Sequence, residues 1–335
     1  MTRAKQCGVG MILASLMGTT STAIEYAGVP RTLTPETDAL ADFSIALRDR
    51  QPPSAFAHVY HTKRATLVWI GAKHETKTDS LTFKLVNDAF RNFSFDAVIV
   101  EGCPHSWGPD PEQLFDYVVS ANASLQGNFQ RGGETVPAVN GAQAQGATVF
   151  CGEPTDLEIK SRVLQLGFSE ADVLGFYTLR SIPQWIRERR IRDGADERID
   201  FLLGIEIEKN RTRLDIDASA LPTVDAWKAW YVHTNGRPLS ADFSTEEAGP
   251  LIDGPFGSNA VAAAISKARA VFQHELVISK LNEGLSTLVV YGASHLMIHA
   301  PALDVSLGDG CSVSLSTAET KFRDCIVANS QKTQP

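Results

Sequence analysis

The feature that most constrains this chain is a short apolar run ending in Gly-Ala-x-His, which occurs twice. One copy is Leu67-Val68-Trp69-Ile70-Gly71-Ala72-Lys73-His74. The other is Leu288-Val289-Val290-Tyr291-Gly292-Ala293-Ser294-His295-Leu296. Each apolar run is too short for a typical helix and is rich in β-branched and aromatic residues, so each reads as a buried strand. The glycine lets the chain turn sharply or lets another group approach the backbone. The histidine then falls just past the carboxyl end of the strand, where open α/β sheets place their ligands.

The surrounding pattern alternates strands and helices. Residues 36–49 have helical spacing behind Thr34 and Pro35, and Pro52-Pro53 ends them. Residues 56–60 and 65–70 flank a polar turn and predict a hairpin, whose second arm carries the first motif. A helix over 79–92 with Asp79 at its cap, a strand over 97–100 ending in Glu101-Gly102, and a helix over 111–124 follow. Then come a Gly-rich loop over 127–140, a short helix over 141–146 and a strand over 147–150 ending in Cys151-Gly152-Glu153. Residues 155–257 are mostly helical, with a capping-box start at Ser169 and a kink at Pro183. A loop over 232–257 precedes a long helix over 258–283, which leads into the second motif. The fold class expected is α/β: a mainly parallel sheet with flanking helices, a helical insertion in the middle and a short C-terminal appendage. The expected organisation is a leader over 1–23, one α/β domain over 24–304, and a tail over 305–335.

The leader is read from Arg3 and Lys5, an apolar core over 9–17, and the small residues Ser21-Thr22-Ala23. The alternative for this stretch is a buried N-terminal helix. Export places the protein in a periplasmic or secreted setting. No later run reaches the roughly 18 apolar residues of a membrane span. Net charge is −8, which argues against bulk binding to a nucleic-acid backbone. Loss of the leader removes Cys7 and leaves Cys103, Cys151, Cys311 and Cys325. In an exported chain these suggest disulfides 103–151 and 311–325; without export they are free thiols.

Four strand ends carry polar groups: His74, Glu101, Glu153 and His295. Converging in one crevice, they suit a divalent metal, Mn, Co or Zn, held by His74, Glu101 and His295 with a position left for water. Without metal, Glu101, His74 and Glu153 serve as catalytic acid, base and orienting groups. Glu153, before Pro154, alternatively closes a turn. His105 lies in the loop past Glu101, and Arg269 lies on the helix before the second motif. With Tyr291 they are the candidate substrate contacts; for Arg269 a surface role is the alternative. His295 and His299 stand four apart and would share a helix face. Trp227, Trp230 and Tyr231 read as core or pocket wall. His58, His61, His233 and His274 read as structural. No nucleophile elbow, phosphate-binding loop, dinucleotide fingerprint or zincin motif is present.

Two Gly-x-x-His motifs with Val98-Ile99-Val100-Glu101-Gly102 between them resemble the TraB/PrgY/TIKI group, within the assemblage that includes erythromycin esterases, GumN-like and ChaN-like haem-binding proteins. Arg269 lies roughly where the group carries an arginine ahead of its second motif. Ala72-Lys73 stand where the group often reads Gly-Thr-x-His, and no Gly follows Leu296. The resemblance implies an α/β fold with its site at the strand ends. Its branches imply a metal-dependent peptidase, an esterase in which His and Glu activate water, or a non-catalytic binder of iron or haem. The corresponding partners are a peptide or small-molecule ester substrate, or haem. If the leader reading is right, Edman sequencing of exported protein will begin at Ile24. A mature protein that still begins at Met1 would refute it.

Overall fold

The computed structural model describes residues 32–104, 112–314, 322, 324 and 325; for residues 103 and 104 only the backbone is described. In chain order the elements are α1 (Ile45–Asp49), β1 (Phe56–His61), β2 (Thr66–Ala72), α2 (Leu81–Asn92), β3 (Ala97–Pro104), α3 (Glu112–Ala123), α4 (Thr135–Gln145) and β4 (Thr148–Glu153). The helical middle follows as α5 (Asp156–Gln165), α6 (Glu170–Leu179), α7 (Ser181–Arg187), α8 (Ile199–Leu214) and α9 (Val224–Asn235). The chain then returns to the sheet through α10 (Gly257–Asn282), β5 (Thr287–Gly292), α11 (Ala293–Leu307) and β6 (Cys311–Ser314).

The strands form one sheet in the order β4-β3-β5-β2-β1-β6. β2, β5, β3 and β4 are mutually parallel, while β1 runs antiparallel to both β2 and β6. The chain is therefore the expected α/β type with a mostly parallel sheet. β5, the last parallel strand made, inserts between β2 and β3, so both Gly-Ala-x-His motifs end on neighbouring strands. Ala72 pairs with Gly292 across that seam. Every residue of β5 is buried, as expected for a strand covered on both faces.

The two faces of the sheet are sorted by strand alternation. Val68, Ile70, Val98, Val100, Leu288 and Val290 pack against α2, α3 and α4. Trp69, Ile99, Val289 and Tyr291 face the other way, onto α10 and α11. Glu101 follows Ile99 by two residues and so continues toward the α10 side. A further core belongs to the helical middle, in which Trp227, Trp230 and Tyr231 pack with α6, α8 and the first half of α10. The 26-residue α10, about 39 Å long at 1.5 Å per residue, belongs to both cores. Val261 to Ala268 serve the helical middle, and Val277 to Leu281 serve the sheet. Arg269 and Gln273 stand between.

Several local expectations need correction. Residues 36–49 are not one helix. A 3-10 turn at Thr37–Ala39 is separated from α1, whose cap is Ser44. Between them Ala41 N–H donates to the Ile298 carbonyl at 2.9 Å and Lys267 Nζ donates to the Leu40 carbonyl. These tertiary bonds hold the chain open. Ser80, not Asp79, caps α2. The expected loop over 127–140 becomes helix from Thr135, because Pro137 falls in the first turn of α4, where a missing N–H costs nothing. The kink expected at Pro183 is a break, with α6 ending at Leu179 and α7 starting at Ser181. Ser169 does build a capping box, with Asp172.

No helix among the described residues is long and apolar enough to cross a membrane. The expected leader over 1–23, most of the tail, His105 and the Cys103 side chain lie outside the described residues. Cys151 is a disulfide cysteine, and Cys311 is bonded to Cys325, as expected. That bond ties edge strand β6 to a residue 14 positions later, a loop for which closure stabilises by about 3 kcal/mol. Cys325→Ser is accordingly expected to lower unfolding free energy by up to about 3 kcal/mol in urea titrations. An unchanged midpoint would mean that β6 contributes little to the cooperative unit.

Candidate functional site

Of the four strand-end groups, Glu101 stands at the centre. Its Oε2 accepts the Gly292 N–H at 2.7 Å, which fixes the carboxylate against the end of β5. Its Oε1 lies 3.6 Å from Arg269 Nη2 and 3.6 Å from His295 Nε2. Arg269 in turn grips Glu153 with two bonds, Nε to Oε2 at 2.7 Å and Nη2 to Oε1 at 2.5 Å. Burial opposes the guanidinium's charge, but Glu153 beside it, with Glu101 next, holds its pKa above the usual range. One cation thus bridges the ends of β3 and β4, and the bidentate fork sets its orientation.

The glycines of the two motifs have different jobs. A Cβ on Gly71 would meet the Phe56 ring at 2.9 Å and the Ala293 backbone at 3.1 Å, so its absence serves packing. A Cβ on Gly292 would stand 3.0 Å from His74 Nε2 and 3.4 Å from Glu101 Oε2. His74 and Glu101 therefore face one small space that only a glycine leaves open.

His74 is two-thirds exposed, its side chain retaining 67% of its accessible surface. Its Nδ1 bonds Glu134 Oε1 at 2.6 Å. The carboxylate accepts, so Nδ1 carries the proton and Nε2 presents a lone pair toward Gly292. This hydrogen bond raises the His74 pKa against a partial burial penalty, and Glu101 adds to the rise. His295, the third residue of α11, is buried instead. Its Nδ1 donates to Gln273 Oε1 at 3.1 Å, and His299 Nε2 donates to the same oxygen at 3.2 Å. Burial, followed by the Arg269 charge, pushes the His295 pKa down to about 3. It is therefore a neutral imidazole with Nε2 turned to Glu101. The shared face expected for His295 and His299 is real, and Gln273 is what it serves.

Tyr291 does not reach a surface. It is fully buried, edge-on to His295 at 5.2 Å, with its hydroxyl over Gly152 where a Cβ would collide. A side chain in that position is not presented to solvent, where a candidate substrate contact was expected. Glu153 spends both oxygens on Arg269, so it positions the cation and does not face the open space. The expected metal set also departs from its requirements. Among the described residues no group of three or more His, Cys, Asp or Glu is arranged to hold an ion. The Arg269 guanidinium lies 3.6 Å from Glu101, the one carboxylate of the expected set, and its fixed charge repels a second cation there.

Two participants were missed. Glu134 follows Gly132-Gly133 in what reads as loop, and nothing in the sequence connects it to His74. Gln273 had a signal, since it lies four residues after Arg269 and one helical turn places both over the strand ends. His105 remains outside the described residues. Comparison with protein-family models, curated proteins and solved structures returns no match.

The raised His74 pKa has a defined sign. Protonated His74 stabilises the fold fully below the unfolded value of about 6.5, and that contribution is lost as pH rises through the folded value. In Glu134→Gln the charge-assisted bond is gone, so the His74 pKa will fall, as read by NMR titration of the imidazole. An unmoved pKa would show that Glu134 does not set it.

Proposed function

We propose that this protein is a hydrolase that cleaves an ester or amide with water activated at the His74–Glu101 space. The observation that carries the reading is the pair of groups facing the space above Gly292, with His74 backed by Glu134 at 2.6 Å. A general base needs a lone pair aimed at the water, a partner that fixes its tautomer, and a pKa near neutrality. His74 has a lone pair on this space and a partner that fixes its tautomer, and the bond to Glu134 raises its pKa. Glu101, locked by the Gly292 N–H, accepts a hydrogen bond from the same water and orients it.

The steps follow from these positions. His74 Nε2 takes a proton from water as its oxygen adds to the substrate carbonyl carbon, and the carbonyl electron pair moves onto oxygen. Arg269, which is charged at any pH of interest and anchored by Glu153, stabilises that oxyanion. The oxyanion collapses, the bond to the leaving oxygen or nitrogen breaks, and His74 returns its proton to the leaving atom. His295, neutral and oriented by Gln273, lines the far side of Glu101 without adding charge. The residues as arranged suit this metal-free route, the esterase-like branch of the resemblance. An oxidising compartment is in keeping with the Cys311–Cys325 disulfide and with the leader.

Hydrolysis of 4-nitrophenyl butyrate by full-length mature protein tests this. His74→Ala and Glu101→Gln are each expected to lower kcat/KM by about 10²–10⁴-fold, with circular dichroism unchanged. Preincubation with EDTA should leave the rate intact; a loss restored by Mn, Co or Zn would replace this mechanism with a metal-dependent one. Gly292→Ala should be as damaging as the loss of His74, because its methyl group fills the reacting space. Wild-type protein inert toward activated esters and peptides alike would end the hydrolytic reading.

A further inference from the structure

Beside Arg269 and His295 lies a cavity of about 200 Å³ whose wall also includes Ser294, Phe176, Ile265 and Arg180. Arg180 belongs equally to a second cavity of about 150 Å³, where it meets Arg190, Lys209 and Arg213. Both cavities thus have Arg180 in their walls, the residue at the break between α6 and α7.

The charges around Arg180 do not balance. Arg213 is paired with Asp156 through two bonds of 2.5 and 2.8 Å. Lys209 is paired with Glu206 at 3.2 Å, and Arg269 is paired with Glu153. Arg180 and Arg190 have no carboxylate within ion-pair distance among the described residues. Their recorded contacts are to aromatic rings, Arg180 over Tyr177 at 5.1 Å and Arg190 over Trp185 at 5.8 Å. Arg180 is nevertheless accessible to solvent. Burial around its head lowers its pKa and the Arg213 and Arg269 charges add to that, while Tyr177 and, more weakly, Asp156 oppose it. A guanidinium held open among like charges, with its five donors unclaimed by acid, is arranged to accept an anion.

We propose that the substrate carries a carboxylate on one side of its scissile bond and that Arg180 binds that carboxylate. The position of the bond rests on the hydrolytic reading above, with the carbonyl against Arg269. The substituent then extends along the apolar wall formed by Phe176 and Ile265, and its charged end meets Arg180. Arg190 adds attraction from the far cavity. A neutral substituent of the same length gains the apolar contact but leaves the cation unpaired.

The test compares two esters of equal chain length, 4-nitrophenyl hemiglutarate and 4-nitrophenyl valerate, on full-length mature protein. Wild type is expected to favour the hemiglutarate. Arg180→Gln should lower kcat/KM for the hemiglutarate about 10- to 100-fold more than for the valerate, the span of one charged hydrogen-bonding contact. Most of the change should fall in KM, and Arg180→Lys should recover part of it. Glutarate itself, added to raise Tm, provides a readout independent of hydrolysis. A Tm rise in wild type that Arg180→Gln abolishes, with no ester cleaved, would keep the anion site and overturn the hydrolytic reading. Cleavage of both esters without preference, and no Tm response to glutarate, would overturn the anion site and keep the hydrolase. No cleavage and no response would overturn both. A response to inorganic phosphate but not to glutarate would overturn the carboxylate assignment. Should Arg180→Gln fail to fold, Arg180→Lys carries the same comparison, because it keeps the charge and loses the fork.

Discussion

The arrangement at the strand ends depends on one buried-edge ion pair, Arg269 with Glu153, and on its extension to Glu101. A carboxylate at the end of a buried strand is expensive unless something satisfies it. Here β3 carries Glu101 and β4 ends in Glu153, two like charges that both lie against Arg269. The guanidinium from α10 removes that conflict. It also fixes α10 against the sheet at the point where the helix passes from one core to the other. Removing Arg269 would leave two largely buried carboxylates without the cation they share, a change that acts on fold and site together.

Glu101 is held from a second direction by backbone. The Gly292 N–H is among the first donors of α11, which strand pairing cannot use. That bond exists because β5 enters the sheet between β2 and β3. The same insertion places His295 under Glu101 and His74 above it. A duplicated motif thus produces two unlike imidazoles. His74 is exposed, tied to an acid and easily protonated. His295 is buried, tied to an amide and neutral. Two environments separate two chemically identical side chains, so that one exchanges protons and the other does not.

The chain itself made several things legible. Short runs of β-branched and other apolar residues, followed closely by glycine, announced β2, β3, β4 and β5, and their alternation with helical spacing announced a parallel sheet. The placement of His74, Glu101, Glu153 and His295 past those runs was enough to bring them to one end of the sheet, because parallel strands share a direction. Local capping was legible at Ser169, where donor and acceptor lie three residues apart. It failed over 36–49, where bonds to Ile298 and from Lys267 overrule helical spacing.

What the sequence by itself determined is therefore the set of strands, their common direction, and the polar groups at their ends. All of these depend on neighbours within a few residues. Only the tertiary structure decided what those groups touch. Strand order, with β5 in the middle, is a non-local choice that no short-range pattern encodes. From it follow the Arg269 bridge between Glu153 and Glu101, the Glu134 partner reached across 60 residues, the burial of Tyr291, and the exposure of Arg180. Burial and pairing, not residue type, set the charge of an imidazole or the task of a carboxylate, and both are properties of the folded neighbourhood.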